Sequence, residues 1–219
     1  VNKVQIGCSR DNAIVDMVEK CRALDANQIA ALLFRELPTG KRKAQQRLQK
    51  LHETKRLKRI RYSCNEPYVY YIDRLSGRLE HLVAVNWLYV WAKVSKRSWE
   101  RLQAFEREPD YGTLQADALI AFRNTRDESA NRFYFVEVDL SDNDWDKTVK
   151  YNQMFSAKGY KGQWWTAMTK KFPTILCIAT DQARARVMQK SIAEENPNGL
   201  RFEVKMLDDI KKEVWPWKV

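Results

Sequence analysis

The sequence predicts an α/β chain, α+β overall, in two parts: a basic helical segment closed by a hairpin, then a mixed sheet flanked by helices. Three observations predict it. Charge is concentrated at one end: residues 1–75 hold 16 Lys and Arg against 8 Asp and Glu, a net of +8, and the rest of the chain adds only +3 to the total of +11. Apolar residues recur at helical spacing up to Leu51 and then give way to aromatic and β-branched strand-like runs. Beyond residue 110, short apolar runs alternate with polar helical stretches, the pattern of a sheet with helices on its faces. At 219 residues and 44% hydrophobic the chain is long and apolar enough to bury a core, as one large domain or two small ones.

Ser9 and Asp11 are capping residues for a first helix carrying Ile14, Val15, Val18 and Cys21. Asp25 caps a second, with Ile29, Leu32 and Leu33. Pro38-Thr39-Gly40 breaks that helix, and Thr39 caps a third, whose Ala44, Leu48 and Leu51 share one face. Its other positions are Lys41, Arg42, Lys43, Gln45, Gln46, Arg47, Gln49 and Lys50. Those side chains contact phosphates and the guanine and adenine edges of a major groove. Lys41 to Arg61 contains ten basic residues and one acid, Glu53, a field that suits a polyanion.

Leu57, Ile60 and Tyr62 punctuate a basic strand that adds Lys58, Arg59 and Arg61 to the expected DNA contacts. Ser63 to Pro67 supplies turn residues, and Tyr68 to Ile72 is a strand by composition. Three helices and a two-stranded ribbon make a winged helix-turn-helix over residues 1–75. It is expected to bind double-stranded DNA through its third helix more than through its uncharged-to-acidic tip, Asn65-Glu66-Pro67. A winged helix used for protein contacts is the plainer alternative.

Arg74 to Leu79, with Ser76-Gly77, is a polar connector, so a second domain is placed at 80–219. Glu80 to Arg107 reads as one long helix stopped by Pro109. Its Leu82, Val85, Trp87, Leu88, Trp91 and Trp99 exceed one stripe, which predicts burial by the second domain or a partner chain. Leu114–Phe122 and Arg132–Leu140 read as a hairpin around the loop 124–131. Trp145–Ser156 is a helix, Thr174–Ala179 a buried strand, Asp181–Glu195 a helix and Arg201–Lys205 a last strand.

Composition excludes several classes. Ile29 to Phe34, an apolar run of six, is far short of a membrane span, and no basic-then-apolar leader opens the sequence, so a cytoplasmic protein without a membrane partner is expected. Cys8, Cys21, Cys64 and Cys177 form no C-x-x-C, and His52 and His81 are the only histidines, which argues against zinc sites and His-based chemistry. Gly40-Lys41 lacks the upstream glycine of a phosphate loop, and no G-x-S-x-G elbow occurs.

One constellation carries chemistry. Asp117 sits between Ala116 and Ala118, and Glu137 and Asp139 alternate with Val136, Val138 and Leu140. Residues two apart on a strand share a face, so Glu137 and Asp139 point together, and a paired strand brings Asp117 beside them. Such carboxylates are hard oxygen ligands for Mg²⁺ or Mn²⁺. An ordinary polar strand face, paired with Arg123, Arg132 or Lys150, is the alternative of equal weight.

Leu48-x-x-Leu51, Leu57-Lys58-Arg59-Ile60-Arg61, Tyr68 to Ile72, His81-Leu82, Asp117-Ala118-Leu119-Ile120 and Phe135-Val136-Glu137-Val138-Asp139, followed by Lys147, Lys150 and Tyr151, resemble the replication-relaxation family of plasmids and mobile elements. The resemblance covers roughly residues 10–205. It implies an N-terminal winged helix, a C-terminal restriction-endonuclease-like domain, and a role in plasmid replication or DNA topology. That superfamily uses an Asp, then Glu-x-Lys in adjacent strands, with a Glu from its first helix. The resemblance makes Asp117 and Glu137 the metal ligands and Glu100 or Glu106 the helix acid. The lysine position is Asp139, and Lys147 or Lys150 would have to reach the same point.

Two readings follow. The leading one is a DNA-binding protein of plasmid or mobile-element replication, relaxation or maintenance. The alternative is a metal-dependent endonuclease or nickase targeted by the winged helix, with Asp117, Glu137, Asp139 and Lys150 as its site and Mg²⁺ or Mn²⁺ as cofactor. A third is a transcriptional regulator whose second domain serves dimerisation or ligand binding. A second copy of the chain and replication proteins are the further partners these readings admit.

Overall fold

A computed structural model describes residues 3–75, 77–140, 144–215 and 217; Ser76 of the expected connector lies outside the described residues. Among them are seven α-helices, a three-stranded antiparallel sheet and a five-stranded mixed sheet. The chain divides into two compact units, Val1–Val90 with Val214–Val219, and Trp91–Glu213.

The first unit runs α1 (Lys3–Cys21), β1 (Ala23–Asp25), α2 (Ala26–Leu33), α3 (Gly40–Glu53), β2 (Lys58–Ile60) and β3 (Val69–Tyr71). Its sheet has the order β1-β3-β2. α1 passes through Ser9 and Asp11, so neither caps it. Asp11 is instead buried and receives Arg47 of α3 through Nε at 2.6 Å and through Nη2, while Arg47 Nη2 also donates to Gly7 O at 3.1 Å. Arg22, in the left-handed region at φ 65, ends α1 and turns the chain straight into β1. That three-residue strand is too short for an alternation signal, and the sequence did not announce it.

Asp25 caps α2 in a full capping box. Its Oδ1 accepts from the Gln28 N–H at 2.7 Å, and Gln28 Oε1 accepts from the Asp25 N–H at 2.9 Å. Thr39 precedes α3 but its side chain makes no capping bond. Gly40 starts α3 where no side chain fits: a Cβ there would lie 2.2 Å from Phe34 O and 2.4 Å from Trp217 Cζ2. Trp217 Nε1 donates to Leu37 O at 3.1 Å, so Trp217 packs on the turn before α3.

The expected domain border near residues 74–80 is not where the compact units divide. α4 (Leu79–Val94) begins in the first unit, where Asn86 Nδ2 donates to Cys21 O at 3.1 Å and Ala23 O at 2.7 Å, and Gln28 Nε2 donates to Val83 O at 2.7 Å. These buried bonds satisfy carbonyls at the α1–β1 junction, and they draw residues up to Val90 into that unit.

The predicted helix over 80–107 is a correction. α4 stops at Val94, and Glu100–Arg107 is β4, an edge strand. The polar residues 95–98 break the helix, and from Glu100 to Ala104 the side chains alternate between covered and exposed, the period of a strand. The second unit continues with β5 (Ala118–Asn124), β6 (Arg132–Asp139), α5 (Lys147–Ser156), β7 (Thr174–Ala179), α6 (Gln182–Glu194), β8 (Phe202–Met206) and α7 (Leu207–Val214), whose last residue belongs to the first unit. The sheet order is β4-β5-β6-β7-β8; β4, β5 and β6 pair antiparallel, and β6, β7 and β8 parallel. Leu114 lies in the β4–β5 turn rather than in the strand.

One sheet face packs Leu119, Ala121, Phe133, Phe135 and Cys177 against Tyr151 and Met154 of α5 and Met188 of α6. On the other face Trp91 meets Phe122 and Tyr134 edge-on at 6.1 and 6.0 Å, and its Nε1 donates to Glu213 Oε2 at 2.7 Å.

Gly40→Ala should destabilise the protein by roughly 2 kcal/mol or more, because the new methyl meets a backbone carbonyl that cannot move aside without shifting the turn. Urea unfolding of both proteins measures it; an unchanged midpoint would contradict the tight packing described.

Candidate functional site

Two groups of sequence-predicted residues come into view, one in each unit. On α3, Ala44, Leu48 and Leu51 are buried, as their spacing required. Lys41, Arg42, Gln45, Gln46, Gln49 and Lys50 are exposed, and Lys43 is half-buried. At 3.6 residues per turn, Arg42, Gln46, Gln49 and Glu53 form the row opposite the buried face. Gln49 Nε2 donates to Glu53 Oε1 at 2.8 Å. Lys41 Nζ lies over the Trp215 ring at 5.4 Å. Arg47 is a correction to the expected contact set. Its guanidinium is spent on Asp11 and Gly7, and the carboxylate holds its pKa above the usual value.

The hairpin cations are also partly committed. Arg61 Nε donates to Glu66 O at 2.6 Å and Nη2 to Cys64 O, so Arg61 ties the β2–β3 turn together. Arg59 stacks on Tyr68 at 4.2 Å, and Lys58 Nζ is 3.5 Å from Asp73 O. Arg42, Lys43 and Lys50 of α3, with no ion pair among the described residues, are therefore the least committed part of the predicted basic set.

The acids lie at the end of β6. Glu137 is fully buried beside the aromatic face of α5; Tyr151 Oη donates to its Oε1 at 2.8 Å and Lys147 Nζ lies 2.8 Å from its Oε2. Burial pushes the Glu137 carboxyl up to about 7, Asp117 pushes in the same direction, and Lys147 and Tyr151 oppose both. The same burial, with Glu137 beside them, raises the Tyr151 hydroxyl and the Cys177 thiol well above their ordinary values. Asp117 sits just before β5, and its Oδ2 accepts from the Val138 N–H at 2.6 Å. That bond holds Asp117 against β6 next to Glu137.

Asp139 shares the face of Glu137, as strand geometry requires, but Arg184 of α6 takes its Oδ2 through Nε at 2.5 Å and through Nη2. The three acids therefore do not make one ligand set. Among the described residues no group of three or more His, Cys, Asp or Glu is placed to hold a metal ion. Asp117 and Glu137 remain as a two-carboxylate pair whose hard oxygens fit Mg²⁺ or Mn²⁺ in donor type. Lys150 points away and pairs with Asp146 at 2.6 Å. Lys147, not Lys150, stands at the buried acid. Its position was legible: Lys147 and Tyr151 are four apart, and the tyrosine marks the buried side of α5.

Neither proposed helix acid is on a helix. Glu100 and Glu106 lie on β4, and both Glu100 oxygens meet Arg132, Nε and Nη2 each at 2.7 Å. Arg184 carried no signal in the sequence, because its partner lies 45 residues away on another element.

Comparison of the chain with family models, with curated proteins and with solved structures finds no match.

The raised value of Glu137 has a stability consequence with a definite sign. Between its ordinary value and about 7 the folded chain holds a proton there that the unfolded chain has released, so this group's contribution is full at low pH and falls as pH rises through about 7. Glu137→Gln keeps an acceptor for Tyr151 and cannot ionise. Relative to wild type it should gain stability from about pH 4.5 to 7, at no more than about 1.4 kcal/mol per pH unit. Urea unfolding across that range checks it; a difference independent of pH would mean that Lys147 cancels the burial.

Proposed function

We propose that the chain is a DNA-binding protein whose first unit is a winged helix that contacts duplex DNA through α3. The observation that carries the reading is the exposed side of α3, where Arg42, Gln46 and Gln49 lie opposite a fully apolar face and Lys41, Lys43 and Lys50 flank them. The element order α1-β1-α2-α3-β2-β3, with sheet order β1-β3-β2, supports it, since that is the order of a winged helix. A helix with Arg42, Gln46 and Gln49 on its outermost line suits a major groove, with Lys41, Lys43 and Lys50 at its flanks for phosphates. The process, plasmid or mobile-element replication, relaxation or maintenance, is proposed on the sequence resemblance alone.

Arg42→Gln, Lys43→Gln and Lys50→Gln together should weaken duplex binding and flatten the dependence of log K on log salt by about 0.9 per lost phosphate contact. Fluorescence anisotropy at several salt concentrations measures both. The folded triple variant binding as wild type would remove α3 from the interface. Arg47→Gln should act differently, lowering the melting temperature by freeing buried Asp11.

A second reading, a nuclease, is favoured by Lys147 beside Glu137. The order α4-β4-β5-β6-α5-β7, with Asp117 before the second strand and Glu137 in the third, supports a restriction-endonuclease-like domain, and Lys147 supplies from α5 the cation that Asp139 does not. Asp117 and Glu137 would hold a divalent ion, which would supply charge neutralisation at a phosphate. Lys147 Nζ stands 2.8 Å from Glu137 Oε2, and Tyr151 orients the Glu137 carboxyl.

Nicking of supercoiled plasmid in Mg²⁺ and Mn²⁺ decides between the readings. The binder reading expects none; nicking by wild type that is lost in Asp117→Ala, Glu137→Ala and Lys147→Gln would establish the nuclease.

A further inference from the structure

We infer that the second unit carries a surface of its own for single-stranded nucleic acid, at the end of the sheet where β5 finishes and β6 and β7 begin. Glu137 and Asp139 lie at the other end of β6, and the inference does not rest on α3.

The segment between α5 and β7, residues 157–173, contains Lys158, Lys161, Lys170 and Lys171 and no acid. All four lysines are exposed, and none has an ion pair among the described residues. Within this segment Trp164 is 37% exposed and yet anchored. It opens a 3₁₀ turn, Trp164–Ala167, whose next residue, Trp165, is buried and donates from Nε1 to Tyr111 Oη at 3.3 Å. Phe155, Tyr160 and Trp165 stack in succession, with centroids 5.9 and 5.6 Å apart and planes within 14° and 18°. Trp164 itself stands edge-on to Phe133 at 6.2 Å. An exposed indole held this way has given up its side-chain freedom before any ligand arrives, which lowers the cost of binding.

The neighbouring loop extends the surface. Asn131 Nδ2 donates to Met168 O at 3.3 Å, and Thr125 donates from N and Oγ1 to Trp99 O at 2.9 and 3.0 Å. Trp99 lies between Arg97 at 5.9 Å and Arg126 at 5.2 Å. Two acids of this end are paired, Glu100 with Arg132 and Glu128 with Arg123, and Asp127 accepts from Ser129. What the surface offers is four lysines without an ion pair among the described residues and an exposed ring on the same segment. Unstacked bases use the ring and phosphates use the cations, a combination that fits a single strand; a duplex hides its base faces.

The test uses the full chain and a labelled oligothymidylate, in a salt titration. Wild type should bind. Lys161→Gln, Lys170→Gln and Lys171→Gln together should lower the salt slope by about 0.7 per lost contact, with melting temperature and duplex affinity unchanged. Trp164→Ala should weaken binding roughly tenfold, and Trp164→Phe should restore most of the loss. The proposal is overturned if wild type does not bind oligothymidylate, if the folded lysine variant binds it with wild-type affinity and slope, if polyglutamate competes equally at matched charge, or if only the α3 variant loses the oligonucleotide. Each of these results leaves the duplex measurement on α3 to stand or fall by itself.

Discussion

A charge removed from water must meet an opposite charge or hydrogen bonds, and this requirement organises both units. Among the described residues of the second unit three carboxylates are buried, and each is answered from a different element: Glu100 of β4 by Arg132 of β6, Glu137 of β6 by Lys147 of α5, and Asp139 of β6 by Arg184 of α6. The pairs fix the edge strand to the middle of the sheet and both covering helices to the strand that bears the acids. In the first unit the Asp11–Arg47 pair locks α1 to α3 in the same way. Losing one partner strands the other, so these contacts act on geometry more than on net stability.

The pairing also divides two kinds of cation. Arg47, Arg132 and Arg184 are structural because a buried or nearly buried carboxylate holds each. Among the described residues, Arg42, Lys43 and Lys50 on α3, and the lysines around Trp164, have no such carboxylate and face solvent or a polyanion. Local density of Lys and Arg in the sequence does not distinguish the two kinds; the position of the acids does.

Signals confined to one element were legible from the residues. The apolar face of α3, the Asp25 cap, the strands at Thr174–Ala179 and Arg132–Asp139 and the helix capped by Asp181 all follow from local spacing and capping chemistry. The shared face of Glu137 and Asp139 was equally local. What was not legible depended on partners far along the chain. Asp11 looked like a cap because Arg47 is 36 residues away. Glu100–Arg107 looked helical because its Leu102 and Phe105 are three apart, and only pairing with β5 makes it a strand. The acidic cluster looked like one set of three because nothing near Asp139 in sequence names Arg184.

Trp217, which packs beside Gly40, gives the first unit a time order. On a ribosome, α1 to α3 emerge before the second unit, but Trp217, the residue that packs on the turn before α3, is made only after that unit. The whole second unit is synthesised in between and can fold as a unit while the first is still incomplete. A nascent chain therefore presents its basic helix before that helix is fully seated, and a chain that stops short of Trp217 lacks a contact made to the turn before α3.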